Sequence, residues 1–195
     1  KIIYIDDCFE DIYPVDMVIN YNAYHVRFPY EEAYKGKARL LLGTEYVPLR
    51  EEFQKEFREK CQGTNAAEWE NGERECSFRK EGCEVLLSSG GGDVCDALWS
   101  ILSGLEGEET LREIVFHVVV GRFHPNKKKL EELAAKNENI KLHDHVDNMA
   151  ELMGRCDMAV SAAGTMLFEL CAMRVPTIFF VSADNQQYDS EFFGQ

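Results

Sequence analysis

From residue 84 onward the sequence alternates strand-like and helix-like segments, and this alternation restricts the fold more than any other feature. Glu84–Ser88 is a short apolar strand pattern that runs into Ser89-Gly90-Gly91-Gly92-Asp93. Val94–Leu105 carries apolar residues at Val94, Ala97, Leu98, Ile101, Leu102 and Leu105, which is one face of a helix. Ile114–Val120 is a β-branched strand ended by Gly121, and Asn126–Lys136 is a helix with Lys127-Lys128-Lys129 on its solvated face. Ile140–His143 is a strand, and Asp147 is placed to cap a helix over Asn148–Gly154. Met158–Val160 is the next strand, Ser161–Thr165 a turn of small residues, and the following helix runs to Met173. Pro176–Val181 closes the series as a strand. The order β-α-β-α-β-α-β-α-β predicts an α/β fold with a parallel, doubly wound, Rossmann-like sheet. The nearly uniform apolar strands agree, since parallel strands are buried on both faces.

The first part of the chain is less regular. Lys1–Asp7 opens directly in a buried-type strand without an initiator Met, and we expect the chain to be a piece of a longer one. Its acidic end, Asp6-Asp7, reads first as a turn carboxylate pair and second as a ligand site at a strand end. Asp16–Asn20 and Leu40–Gly43 are further short apolar pieces. Thr44–Leu49 is expected to be extended ahead of a polar helix over Arg50–Lys60, because a residue before proline avoids the helical region. Residues 61–83 are charged, rich in turn formers and weakly periodic, so a domain boundary is expected near there.

A net charge of −14 argues against nucleic acid or an anionic membrane surface as the main partner. It leaves room for a nucleotide held in a local site. No apolar run approaches the ~20 residues that span a bilayer. Seven cysteines, an odd number with no CxxC, fit a reducing cytoplasm better than a disulfide framework, and Cys156 and Cys171 look like core residues. Neither these spacings nor the pair His143 and His145, with no third ligand in view, makes a metal site.

In a parallel sheet the loops that follow the strands emerge on one edge. The glycine loop with Gly91 and Gly92 could cradle a phosphate or be a tight turn; it matches neither a dinucleotide fingerprint nor a Walker A loop. Gly121-Arg122-Phe123-His124 reads mainly as exposed loop. His145-Val146 could meet a base through its backbone, and Asn185 and Gln186 could face a sugar or sit in a plain polar loop. Ser161, Ala163, Gly164 and Thr165 lead into a helix whose first amides have no intrahelical partner, a generic anion site. Glu169 lies about one turn further on, placed to accept hydrogen bonds from hydroxyls. Five such loops on one edge favour a ligand crevice over a set of plain joints.

The segments Leu42–Arg50, Ser89–Asp93, Asn148–Met153 and Ser161–Ala172 resemble the UDP-sugar hydrolases of the pseudaminic acid pathway and the related spore-coat polysaccharide biosynthesis proteins. These look like the lipid II N-acetylglucosaminyltransferase and share its GT-B fold of two Rossmann-like domains. The resemblance covers nearly the whole chain and is most specific in 161–172 and 42–50. It implies that residues 1–50 are the tail of an N-terminal domain, 51–83 a linker or surface excursion, and 84–195 the nucleotide-sugar-binding domain. It further implies that the glycine loop with Gly91 and Gly92 and the Ser161–Thr165 turn hold the diphosphate, that the His145-Val146 backbone meets the uracil, and that Glu169 binds the ribose; Gly121 is counted with these nucleotide-binding residues. Asn185 and Gln186 would face the sugar. The implied activity is release of UDP and free amino sugar from a UDP-sugar. Transfer from the same donor site, or binding without turnover, are the alternatives. No cofactor is implied. The family's N-terminal glycine loop, with its water-activating His, has no counterpart here; it is expected upstream of Lys1, and a closing helix after Gln195.

Overall fold

The computed structural model describes residues 1–62, 82–90, 96–105, 107–109, 112–121 and 124–194. The strands are β1 (Ile3–Ile5), β2 (Met17–Asn20), β3 (Arg39–Leu42), β4 (Glu84–Ser88), β5 (Val115–Val119), β6 (Ile140–His143), β7 (Met158–Ala162) and β8 (Thr177–Phe180). The α-helices are α1 (Tyr30–Ala33), α2 (Glu51–Gln62), α3 (Ala97–Gly104), α4 (Lys127–Lys136), α5 (Met149–Arg155), α6 (Met166–Met173) and α7 (Gln187–Phe193). The chain forms two compact units, one of residues Lys1–Leu49 with Ala183–Gln195, the other of Arg50–Ser182.

The first unit holds a parallel sheet in the order β1-β2-β3. Val18, Tyr30 and Tyr34 form its core. Asp6 is buried and accepts hydrogen bonds from the amides of Cys8 (3.3 Å) and Phe9 (3.1 Å) and from the Tyr30 hydroxyl (2.8 Å). It is therefore a turn carboxylate that also anchors the core, as the first of the two sequence readings has it. The expectation of a fully buried first strand does not hold. Ile3 and Ile5 are 59% and 57% exposed, because β1 lies at the sheet edge and has only β2 beside it. Thr44–Tyr46 is a 3-10 turn where extended chain was expected.

The C-terminal segment divides differently from the sequence expectation. A 3-10 turn, Asp184–Gln186, and α7 belong to the first unit, where Tyr188 packs against Tyr24 and Phe28 and lies under the Arg27 guanidinium. These aromatic partners come from Ala23–Phe28, a region with no local sequence tie to residue 188.

The second unit is built on a parallel five-stranded sheet in the order β6-β5-β4-β7-β8. The alternation read from the sequence is thus present in full, with element ends shifted by a few residues. One face of the sheet presents Val85, Leu87, Phe116 and Val118, which pack on Leu98 and Leu102 of α3 and Leu130 and Leu133 of α4. The strand period of two sends Leu86, Ala159 and His117 to the other face. The helix α2 packs against α5 and α6 and buries Phe53 to 1% exposure, so the start of the expected linker is part of this unit. Residues 63–81 of that linker lie outside the described residues. Cys156 is buried, with its thiol pushed up to about 12 by burial, whereas Cys171 is exposed and is not a core residue.

The chain begins this sheet at its centre, builds outward through β5 and β6, then returns to the other side of β4 for β7 and β8. That reversal brings the carboxyl ends of β4 and β7 side by side. Crevices at such switch points are where open α/β sheets take their ligands.

Candidate functional site

Three segments meet the switch point: the loop after β4, the turn after β7, and the start of α2. Ser89 is buried, and Gly90 sits at φ +75°, a backbone that favours glycine, with its amide donating to Ser88 Oγ at 3.2 Å. Gly91, Gly92 and Asp93, the centre of the expected phosphate loop, lie outside the described residues.

The turn after β7 is shorter than the sequence suggested. β7 runs on to Ala162, so Ser161 is a strand residue; it is fully buried, and its hydroxyl donates to the Ala162 carbonyl at 3.1 Å. The Ser161 side chain is therefore committed inside the unit. The Ala163 amide completes the sheet by donating to Phe180 (2.8 Å), and the Gly164 amide donates to Ala162 (2.8 Å). Among the described residues the amides of Thr165 and Met166 make no hydrogen bond, and the Thr165 side chain, at the start of α6, forms no cap. Thr165 is also exposed. The open anion-type donors of this turn are thus those of Thr165 and Met166, one step later than the Ser161-Ala163-Gly164 part of the expected clamp.

Glu169 lies one turn into α6 with its side chain 18% exposed. Burial pushes its carboxyl above the ordinary value, and Arg50 pulls it back. The Arg50 Nε and Nη2 both reach Glu169 Oε1, at 3.3 and 3.1 Å. The same guanidinium meets Glu52 Oε1 through Nη1 at 3.1 Å and lies over the buried Phe53 ring, 5.1 Å from its centroid. Glu52 Oε1 also accepts from the Met149 amide at 3.1 Å, which holds the start of α5. One cation therefore ties together the starts of α2, α5 and α6. Reading by local pattern missed Arg50 and Glu52, since Arg50 and Glu169 are 119 positions apart. The only signal was that Arg50 ends one of the family-like segments.

The other expected residues divide. Gly121 is exposed after β5, and its carbonyl accepts from the His124 amide at 3.0 Å. His124 itself is buried, against the expectation of an exposed loop residue, and its Nδ1 accepts from the Asn126 amide at the start of α4. His145 is 82% exposed and pairs with the still more exposed Asp147 at 3.1 Å, while Val146 is half-buried. Asp147 is thereby diverted from capping; Asn148 caps α5 by accepting from the Glu151 amide at 3.0 Å. Asn185 and Gln186 belong to the first unit, in the 3-10 turn before α7.

A second polar group lies on the face of the sheet opposite α3 and α4. Glu84 Oε2 accepts from His117 Nε2 at 3.1 Å, and His117 Nδ1 lies 2.9 Å from His143 Nε2. With the Nε2 proton directed at the carboxylate, His117 Nδ1 accepts from His143. Burial pushes both imidazoles below the usual histidine value, with Glu84 opposing this at His117 and Lys141 and Arg155 adding to it at His143. His143 is thus spent inside the unit. Among the described residues no cluster of His, Cys, Asp or Glu could hold a metal ion, and no helix is long and apolar enough to cross a membrane.

A model of the glycosyltransferase family 28 C-terminal domain matches residues 85–192. The UDP-2,4-diacetamido-2,4,6-trideoxy-beta-L-altropyranose hydrolase of Campylobacter jejuni is 26% identical over 176 residues, covering 89% of this chain and 55% of the hydrolase. The spore coat polysaccharide biosynthesis protein SpsG of Bacillus subtilis is 21% identical over 159 residues, covering 82% and 42%. The crystal structure of WaaG, a glycosyltransferase involved in lipopolysaccharide biosynthesis, aligns with a TM-score of 0.46 at 16% identity over 89% of this chain and 46% of its own. The chain spans about half the length of these proteins.

Proposed function

From the premise that the chain belongs to the glycosyltransferase family 28 C-terminal domain family, we propose that Arg50–Ser182 binds the nucleotide of a UDP-sugar. The observation that carries this reading is Glu169, a largely buried carboxylate one turn into the helix that starts at the β4–β7 switch point. A buried carboxylate there accepts hydrogen bonds from a vicinal diol such as a ribose. The amides of Thr165 and Met166 and the loop around Gly91 and Gly92 take the diphosphate, and the His145-Val146 backbone takes the base.

The reaction of the parent protein is hydrolysis. Water attacks the anomeric carbon, the bond to the diphosphate oxygen breaks, and UDP leaves with the electron pair. Donors at the helix start then stabilise charge that grows on the diphosphate. The name of the Campylobacter jejuni relative, a hydrolase of a UDP-linked sugar, favours this over transfer. The family name favours the second reading, in which an acceptor hydroxyl replaces water at the same donor site. No residue described here is assigned as the base.

Calorimetry of UDP with the 195-residue chain tests the binding reading. The expected result is saturable binding that weakens at least tenfold in Glu169→Ala, as loss of hydrogen bonds to a charged group implies. Absence of binding would overturn it. Assay of the full-length parent without acceptor separates the two reactions, since only hydrolysis releases free sugar.

A further inference from the structure

The Arg50 guanidinium makes an asymmetric contact with Glu169. Nε and Nη2 both point at Oε1, and Oε2 has no hydrogen-bond partner among the described residues. An exposed ion pair would be free to turn and would contribute little. This one is fixed on its other sides. Nη1 is held by Glu52 Oε1, Glu52 is held by the Met149 amide, and the guanidinium plane rests over the Phe53 ring, which is 1% exposed. The planar fork has one orientation that satisfies all these contacts, which a lysine ammonium cannot reproduce.

We propose that Arg50 is a positioning residue for the nucleotide site, holding Glu169 by Oε1 so that Oε2 is presented to a ligand diol. The inference rests on the nucleotide reading given above. Arg50 does not touch the ligand; it acts through Glu169, and Glu52 and Phe53 fix Arg50 in turn. It also favours the ionised form of Glu169. Glu169 sits among buried groups that favour its neutral form, and Glu52, the other acidic group facing this pair, adds to that tendency. Arg50 opposes both.

The test is a double-mutant cycle on the 195-residue chain, read by UDP calorimetry between pH 5.5 and 8.5. Arg50→Met should weaken UDP binding about tenfold at pH 7, the usual scale for losing a charged hydrogen-bonding group. It should also move the acid-side loss of binding to higher pH than in the wild type. Arg50→Met added to Glu169→Gln should cost nothing further, because the two residues act as one unit. Arg50→Lys should fold like the wild type and return the acid-side loss toward its wild-type position but recover only part of the affinity. Equal cost of Arg50→Met in both backgrounds, or an unchanged pH profile, would overturn the inference. A ligand-free readout separates its failure from that of the nucleotide reading. Carbon-13 NMR of the Glu169 carboxyl should show its titration moving to higher pH in Arg50→Met, or in Arg50→Gln if the Met variant does not fold. No movement would overturn the clamp whether or not UDP binds. Movement without any UDP binding in the wild type would leave a structural ion pair and overturn the positioning role.

Discussion

Replacing Asp189 by asparagine should stabilise the first unit at neutral and basic pH and leave it unchanged in acid. Asp189 lies on α7, is 7% exposed, and its Oδ1 has no hydrogen-bond partner. Burial first, and the nearby Asp7 carboxylate second, push its carboxyl up to about 6 from 3.8. Ionising it in the folded unit is therefore costlier than in the unfolded chain by as much as about 3 kcal/mol. The direction follows from proton uptake. Well below pH 3.8 both states hold the proton, and wild type and variant are equal. As pH rises through 6 the wild type must release the proton into a site that disfavours the charge, and it loses stability that Asp189→Asn keeps. The assay is urea unfolding at pH 4, 6 and 8. The composition separates the two units optically. All eight tyrosines (4, 13, 21, 24, 30, 34, 46 and 188) lie in the first unit, and Trp99 lies in the second. Tyrosine signal should show the variant ahead of the wild type by up to about 3 kcal/mol at pH 8, with a much smaller gain at pH 4. Tryptophan signal excited alone should show no difference. A variant that is less stable at pH 8, or whose gain is the same at pH 4, would refute the argument from burial and Asp7.

The second unit should respond to pH in the opposite sense. His117 and His143 are held neutral by burial, so the stability they contribute is full above the ordinary histidine value and is lost as pH falls through it; tryptophan-monitored melts should drop between pH 7 and 5, and His117→Gln should remove part of that drop. Asn148→Ala should cost about 1 kcal/mol by removing the α5 cap, measured by urea unfolding of the second unit. Gly90→Ala should cost about 1 kcal/mol in the same measurement from backbone strain at φ +75°, since a Cβ there would meet nothing within 4 Å among the described residues.

Much of the second unit was legible because its signals are local. Each strand carries its own apolar run and each helix its own periodic face, so the sequence named every strand and α-helix among the described residues from Glu84 to Phe180. The turn after β7 begins two residues later than the small residues suggest. Ser161 and Ala163 are small, and small residues read as a turn; the sheet pairing of Ser161 with Ser88 and of Ala163 with Phe180 decides otherwise. His124 shows the same limit, since a histidine beside a proline reads as exposed loop until a helix start is packed on it.

By itself, the sequence determined the parallel α/β architecture of residues 84–180 and the position of Glu169 one turn into a helix that begins at a strand end. Those follow from periodicity and turn chemistry, which act over a few residues. Only the tertiary structure decided that β4 and β7 are neighbours, that Asp184–Phe193 packs on aromatic residues near position 24, and that Arg50 reaches Glu169. Those are pairings across long stretches of chain, set by which faces must be buried together. No window of sequence carries them.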